Sequence, residues 1–300
     1  MKTFSKNFDF RKKYKLFFDI FIFEENKMTE NKTAIPKIIH YCWFGGKPLP
    51  ELAKKCIASW KKFLPGYEIK EWNEQNYDVR KIPYIAQAYD AKKYAFVSDF
   101  ARFDILYQYG GIYFDTDVEL IKPLYEILKR GAFAGVERTG DASSLAAGLG
   151  IASPAASPIY KEILDSYRES SFIRPDGSLD LTTVVTRVSN IFKLHGLKDL
   201  DEIQEVAGVT VYPAEYFCPI NYITGKLKIT EKTYTIHHFM ASWTNEYEKH
   251  LVNTRQKIYA SCKNKKIANM KFIFYSLFYR VKVYGIRKSF SYYFNKYIKR

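Results

Sequence analysis

Four charged side chains in the middle of this 300-residue chain have the types and spacing to do chemistry. Asp115 and Asp117 stand one residue apart, just after the apolar run Ile112-Tyr113-Phe114. On an extended backbone side chains alternate, so both carboxylates would point to the same side. Two anionic oxygens placed together suit a hard divalent cation and the phosphates it carries. Asp99 and Arg102 lie three apart in a segment of helical pattern, which makes them neighbours on the helix surface. As a plain surface pair they would contribute roughly 0.2–0.5 kcal/mol. As a functional pair, the carboxylate could accept hydroxyl hydrogens while the guanidinium holds it or reaches a phosphate. Trp43 offers an indole face on which a nucleobase could stack, or a plain core aromatic. Near the end of the chain, Thr235-Ile236-His237-His238-Phe239-Met240-Ala241-Ser242-Trp243 brings paired imidazoles, a hydroxyl and an indole together at a strand end.

The elements that must position these residues are legible in the pattern. Ile38-Ile39-His40-Tyr41-Cys42-Trp43-Phe44 is an almost continuous apolar run ended by Gly45-Gly46, as a buried parallel strand would be. Residues 49–63 carry Leu52, Cys56, Ile57 and Trp60 at helical spacing, and Pro65-Gly66 stops them. Residues 67–72 read as a second strand, followed by Asn73. Such a βαβ unit is right-handed, and its ligand belongs at the carboxyl ends of the strands, where Trp43 and Asn73 fall. Residues 91–109 form a helix with Phe96, Phe100, Phe103 and Tyr107 on one stripe. Gly110 caps that helix in the left-handed region, and Gly111 releases the next strand. Further on, 132–136, 209–213 and 232–238 read as strands, and 158–167 and 181–194 as helices. The small-residue stretch 143–153, with Gly148 and Gly150, is expected to bring backbone close to a bound substrate.

An apolar fraction of 47% allows a sizeable core, and the aromatic share of 17% is high enough to furnish stacking surfaces too. The net charge of +15 is unevenly placed. Residues 252–300 hold thirteen Lys and Arg and no acid, and residues 1–33 hold eight bases against five acids, so the body is close to neutral. The chain therefore divides into a basic N-terminal extension (1–33), an α/β body (34–251) and a basic, aromatic, amphipathic tail (252–300). The tail is expected to be helical and to lie on an anionic membrane surface. No helix-turn-helix, zinc or RNA-binding signature accompanies the charge, so no nucleic-acid partner is expected. Four scattered cysteines without Cys-x-x-Cys spacing fit free thiols in a reducing compartment. The apolar patch at 15–23 contains Asp19 and lacks a cleavage site, so it does not read as a signal peptide, and Met28 is an alternative start.

Taken in order, Ile35-Pro36-Lys37-Ile38-Ile39-His40-Tyr41-Cys42-Trp43-Phe44-Gly45-Gly46, Ser98-Asp99-x-x-Arg102 and Gly110-Gly111-Ile112-Tyr113-x-Asp115-x-Asp117 closely resemble the DXD-type sugar transferases of glycosyltransferase family 32. That family includes bacterial capsule and polysaccharide enzymes and the yeast initiating mannosyltransferases. The chain is also similar to the glucosyltransferase domain of the large clostridial toxins. The resemblance implies a GT-A-type fold, a Rossmann-like mixed sheet flanked by helices. It also implies a nucleotide-sugar donor (a UDP-hexose favoured over GDP-mannose), Mn²⁺ or Mg²⁺, a glycan or lipid-linked glycan acceptor, and retention at the anomeric carbon. Carried over, Trp43 stacks on the donor base, Asn73 contacts the nucleotide and Tyr113 lines its pocket. Asp99 and Arg102 hold the donor sugar, Asp115 contacts ribose or metal-bound water, and Asp117 ligates the metal. Ser242 and His238 complete the metal shell, and Trp243 covers the diphosphate. No carboxylate is assigned as a nucleophile. Bacterial members of the family place such an enzyme in the cytoplasm, peripheral on the inner face of the cell membrane, in capsular or surface polysaccharide synthesis.

Two other readings compete. Asp115-Thr116-Asp117-Val118 also fits a haloacid-dehalogenase-like phosphatase, although no downstream Gly-Asp-x-x-x-Asp pair completes that site. A non-enzymatic membrane-surface binding protein would rest on the basic tail alone.

Overall fold

The computed structural model describes residues 34–139, 142–240 and 246–289. The apolar run in the first motif forms β1 (Ile38–Cys42), buried along nearly its whole length. It is followed by α1 (Glu51–Phe63) and β2 (Glu68–Trp72), which pairs with β1 in parallel. α1 turns Ala53, Cys56 and Trp60 inward, and the Trp60 indole donates to the Val118 carbonyl at 2.7 Å. A helix without counterpart in the sequence expectation follows, α2 (Pro83–Asp90), opened by a proline whose fixed φ suits a first helical position.

α3 (Tyr94–Tyr109) is the expected helix, but it is not a surface element. Every residue from Phe100 to Leu106 is buried, together with Val97 and Asp99. The Asp99–Arg102 pair thus lies inside the protein rather than on a helix surface, because α3 is packed on several sides and not along one stripe. Gly110 ends the helix at φ 62°. A side chain there would put Cβ 2.7 Å from the Ala155 nitrogen, so both backbone and space require glycine. His40 locks the same corner. Its Nδ1 accepts from the Trp72 indole at 3.1 Å, which leaves Nε2–H to donate to the Gly110 carbonyl at 2.9 Å.

The chain continues through β3 (Gly111–Tyr113), β4 (Val118–Leu120), α4 (Tyr125–Leu128), β5 (Phe133–Thr139), β6 (Ala142–Leu145) and β7 (Ile151–Ser153). α5 (Pro158–Arg168), α6 (Val184–Leu194), β8 (Gln204–Val206), β9 (Val209–Tyr212), α7 (Ala214–Phe217) and β10 (Thr235–His237) complete the body. α6 starts later than the apolar pattern predicts, because the Thr183 hydroxyl caps it by accepting from the Thr186 N–H.

The main sheet has the order β2-β1-β3-β7-β5-β9-β8, with β6 paired to β5. β1, β2 and β3 are mutually parallel, β7 runs antiparallel between β3 and β5, and β9 returns parallel to β5. β4 and β10 form a separate antiparallel pair. This mixed sheet flanked by helices is the α/β layout that the sequence pattern predicts. α8 (Glu246–Ser261) and α9 (Lys265–Tyr284) then form a helical pair, and the boundary drawn at 251/252 falls within α8. Gln256 of α8 donates to the Tyr222 carbonyl, and Arg255 lies 4.7 Å from the Tyr222 ring centre.

Candidate active site

Because β1, β2 and β3 are parallel, their carboxyl ends share one edge of the sheet. Trp43 and Asn73 leave that edge from β1 and β2, and Tyr113 to Asp117 leave it from β3. Trp43 and Asn73 line a cleft of about 530 Å³, together with Gly45, Gly46, Glu71 and Tyr94. The Trp43 indole N–H donates to the Lys47 carbonyl at 2.5 Å, and the Asn73 amide donates to Glu71 at 2.8 Å. Each side chain is therefore oriented by a neighbour while still facing the cleft.

Arg102 is the hub of the next cluster. Its Nη2 lies 2.8 Å from Asp99 and 3.3 Å from Asp115, and its guanidinium carbon sits 5.0 Å from the centre of the Tyr113 ring. The Tyr113 hydroxyl donates to the same Asp115 oxygen at 3.1 Å. Burial alone would lower the Arg102 pKa, but Asp115, Tyr113 and Asp99 outweigh it and hold the guanidinium charged. Burial pushes the Asp99 carboxyl up to about 6 against the Arg102 charge, and Asp115 adds to the rise. α3 and β3 thus deliver Asp99, Arg102, Tyr113 and Asp115 to one place.

Asp115 and Asp117 do not share one extended strand. The Val118 N–H donates to the Asp115 carbonyl at 3.1 Å and closes a turn, so the alternation of side chains no longer holds. The two carboxylates consequently have separate partners. Asp115 meets Arg102 and Tyr113, whereas Asp117 meets the late segment of the chain. Asp117 Oδ2 accepts from the Met240 N–H at 2.7 Å, and Oδ1 lies 3.3 Å from His237 Nε2. Burial would raise the Asp117 pKa, yet the His237 charge and these hydrogen bonds outweigh it and hold the carboxyl at about 2. His237 is the mirror case: burial lowers its pKa, and Asp117 more than reverses that.

This geometry corrects the expectation for His238. Its Nε2 lies 2.8 Å from Glu119 on β4, and Lys55 reaches the same carboxylate at 3.1 Å. The antiparallel register sets His237 opposite Val118, and it is the His237 side chain that reaches the Asp117 carboxylate, whereas the His238 backbone N–H donates to the Asp117 carbonyl at 3.0 Å. Ser242 and Trp243 lie outside the described residues.

Gly148, expected to allow close backbone approach, meets Asp115 directly. Its carbonyl accepts the Asp115 N–H at 3.0 Å, and a Cβ built on it would stand 1.9 Å from Asp115 Oδ2. The stretch 143–153 is expected to approach a bound substrate; in the structure Gly148 approaches the Asp115 carboxylate instead. Its signal was the glycine among small residues.

Asp115 and Asp117 supply carboxylate oxygens, hard donors of the kind that Mn²⁺ and Mg²⁺ prefer, although each is held by different partners. Residues 50–134 match the family described as the glycosyltransferase sugar-binding region containing a DXD motif. The matched stretch, 85 of the 300 residues, is similar to that region. It contains Asn73, Asp99, Arg102, Tyr113, Asp115 and Asp117.

Inositol phosphoceramide mannosyltransferase 3 of Schizosaccharomyces pombe is 30% identical over 125 residues, 39% of this chain and 33% of the relative. Inositol phosphoceramide mannosyltransferase 1 of the same organism is 28% identical over 110 residues, a third of each chain. An uncharacterized glycosyltransferase of Acanthamoeba polyphaga mimivirus is 35% identical over 107 residues, 33% of this chain and 42% of the relative. The chain thus spans about a third of the length of the two yeast relatives. Among solved structures, the PaToxG glycosyltransferase aligns over 58% of this chain and 76% of that one, at 20% identity and a TM-score of 0.39.

Proposed function

We propose that this protein is a metal-dependent, retaining glycosyltransferase that moves a hexose from a nucleotide-sugar donor to a glycan or lipid-linked glycan acceptor. The observation that carries the reading is the gathering of Trp43, Asn73, Asp99, Arg102, Tyr113, Asp115 and Asp117 at one carboxyl edge of three parallel strands. Trp43 and Asn73 would receive the nucleoside in their cleft. Asp99, held by Arg102, would accept hydrogen bonds from the sugar hydroxyls. Asp115 and Asp117 would hold the divalent ion, Mn²⁺ or Mg²⁺, which when bound neutralises charge on the departing diphosphate. The buried Arg102 cation adds fixed electrostatic stabilisation. His237 orients Asp117 by facing one of its oxygens. The similarity to mannosyltransferases keeps GDP-mannose beside UDP-hexoses as a donor to test, and the acceptor of a capsular or surface polysaccharide remains part of this proposal.

The family match over residues 50–134 favours transfer over the phosphatase reading. A panel of UDP- and GDP-sugars with Mn²⁺, each assayed for hydrolysis and transfer, tests it. Asp117→Asn and chelation should each remove nearly all turnover. Full turnover by Asp117→Asn in the presence of chelator would refute the metal role, and release of phosphate from simple phosphomonoesters would restore the phosphatase.

The same proposal places the enzyme at the inner face of the cell membrane. Ile267, Met270, Phe274, Phe278 and Val281 recur at helical spacing on α9, and Phe274 and Phe278 are 66% and 69% exposed. Exposed Lys271 and Lys282 flank that stripe, as an interfacial helix on anionic lipid requires. Among the described residues, no helix is long and apolar enough to cross a membrane. Sedimentation with anionic vesicles should be salt-sensitive and should fall in Phe274→Ser/Phe278→Ser; equal sedimentation by that variant would remove the membrane role.

A further inference from the structure

On the far side of His237 from Asp117's claim on it, three ligand-type side chains converge from distant parts of the chain. Glu137 comes from β5, Cys218 follows α7, and His237 ends β10. One donor atom from each lies within 4.8 Å of the others. His237 Nε2 is taken by Asp117 at 3.3 Å, whereas its Nδ1 is buried and has no hydrogen-bond partner. An unpaired buried imidazole nitrogen beside a thiol and a carboxyl group needs an explanation.

The scaffold around the three is fixed by contacts that do not involve them. The Thr235 hydroxyl donates to the Phe217 carbonyl at 2.8 Å, and the Tyr234 N–H donates to the Tyr216 carbonyl at 2.7 Å, which ties β10 to α7. Phe217 stacks on Phe133 at 5.3 Å, and Gly135 leaves no room for a side chain against it, which ties α7 to β5. The elements bearing all three donors are therefore held together before any ligand arrives.

We propose that Glu137, Cys218 and His237 form a site for a borderline-soft divalent transition ion of the zinc class, separate from the hard-ion site at Asp115 and Asp117. A thiolate, an imidazole and a carboxylate select such an ion over Mg²⁺ or Ca²⁺. Tetrahedral zinc with bonds of about 2.0–2.3 Å places neighbouring donors about 3.3–3.8 Å apart. Donors already within 4.8 Å reach that spacing by small side-chain movements. Loading exchanges the Nδ1 and Sγ protons for the ion, and no electrons move. The fourth position stays open to water. The Nε2–H then donates to Asp117, the carboxylate–histidine–metal arrangement that fixes a ligand's tautomer. The site would thereby couple to the glycosyltransferase centre through one shared histidine, although its existence does not depend on that centre's reaction.

The test uses the full chain, stripped with chelator and titrated anaerobically with Co²⁺ as a zinc surrogate. The expected result is a near-ultraviolet thiolate-to-Co²⁺ band that saturates at one ion per chain and is bleached by Zn²⁺. Cys218→Ser should lose the band, and Glu137→Gln should weaken Co²⁺ binding by about tenfold or more, with circular dichroism reporting that each variant folds. Asp117→Asn should keep the band, since its amide oxygen still accepts the Nε2–H, while losing Mn²⁺ binding read by electron paramagnetic resonance. A folded wild-type protein that gives no thiolate band, or a band that survives Cys218→Ser, overturns the proposal. Loss of Mn²⁺ binding in Cys218→Ser together with the band would also overturn it, by making the two sites one.

Discussion

Gly148→Ala is the sharpest perturbation of the site, because it acts through space alone. Gly148 is not among the glycines with positive φ, so alanine suits its backbone. The new Cβ would stand 1.9 Å from Asp115 Oδ2, where ordinary contact begins at 3.4 Å. The carboxylate must therefore retreat by about 1.5 Å. Oδ2 is the free end of a side chain, so stability should change little. Relief of glycine's chain entropy contributes up to about 1 kcal/mol in favour, and the displaced contacts to Arg102 and Tyr113 oppose it. Activity should respond very differently. A misplacement of about 1 Å in a positioned group costs about 10²-fold in rate, or about 2.7 kcal/mol of barrier. The assay is kcat/KM for nucleotide-sugar turnover beside a urea unfolding curve. A variant within about threefold of wild type, under 1 kcal/mol of transition-state stabilisation, would refute the claim that Asp115 works from the place Gly148 leaves for it.

Arg102→Met leaves Asp99 and Asp115 without their shared buried cation, and should destabilise the fold by about 3–5 kcal/mol; a urea-derived loss below 1 kcal/mol would count against the hub. His237→Gln should reduce metal-dependent turnover by about 10–100-fold, whereas His238→Gln, which can still reach Glu119, should stay near wild type; the reverse order would reinstate His238. Burial depresses His40 from 6.5 to about 4, so the unfolded chain takes up a proton first as pH falls. His40 thus contributes stability in full above pH 6.5 and loses it progressively down to pH 4, about 3 kcal/mol in all. The Asp117 contribution is lost lower, from the ordinary carboxylate range near 3.8 down to about 2. Asp99, raised to about 6, gains stability over the same window and opposes this loss, so the observable is the difference: from pH 7 to 4.5 wild type should lose stability relative to His40→Gln, and a difference that stays constant with pH would rule out the His40 term.

Much of this protein is legible in its sequence, for reasons local to a few residues. A continuous apolar run needs burial on both faces, so β1 could be read as an interior parallel strand. Gly110-Gly111 marked the end of α3, because only glycine tolerates positive φ with backbone packed against it. Three ordered motifs resemble the sugar transferases, and Trp43, Asn73 and Asp115 lie just past the ends of β1, β2 and β3 as the pattern predicts. What the sequence could not decide depends on register and packing between distant segments. The pairing of β10 with β4 chose His237 over His238 for Asp117, a one-residue distinction that alternates faces. The turn closed at Val118 sent Asp115 and Asp117 to different partners, which spacing alone presents as a single pair. Burial of α3 on several sides turned Asp99 and Arg102 from a surface pair into an interior hub. The meeting of Gly148 with Asp115, and of Glu137, Cys218 and His237 with one another, follows from tertiary packing alone, because none of these residues shares a local element with its partner.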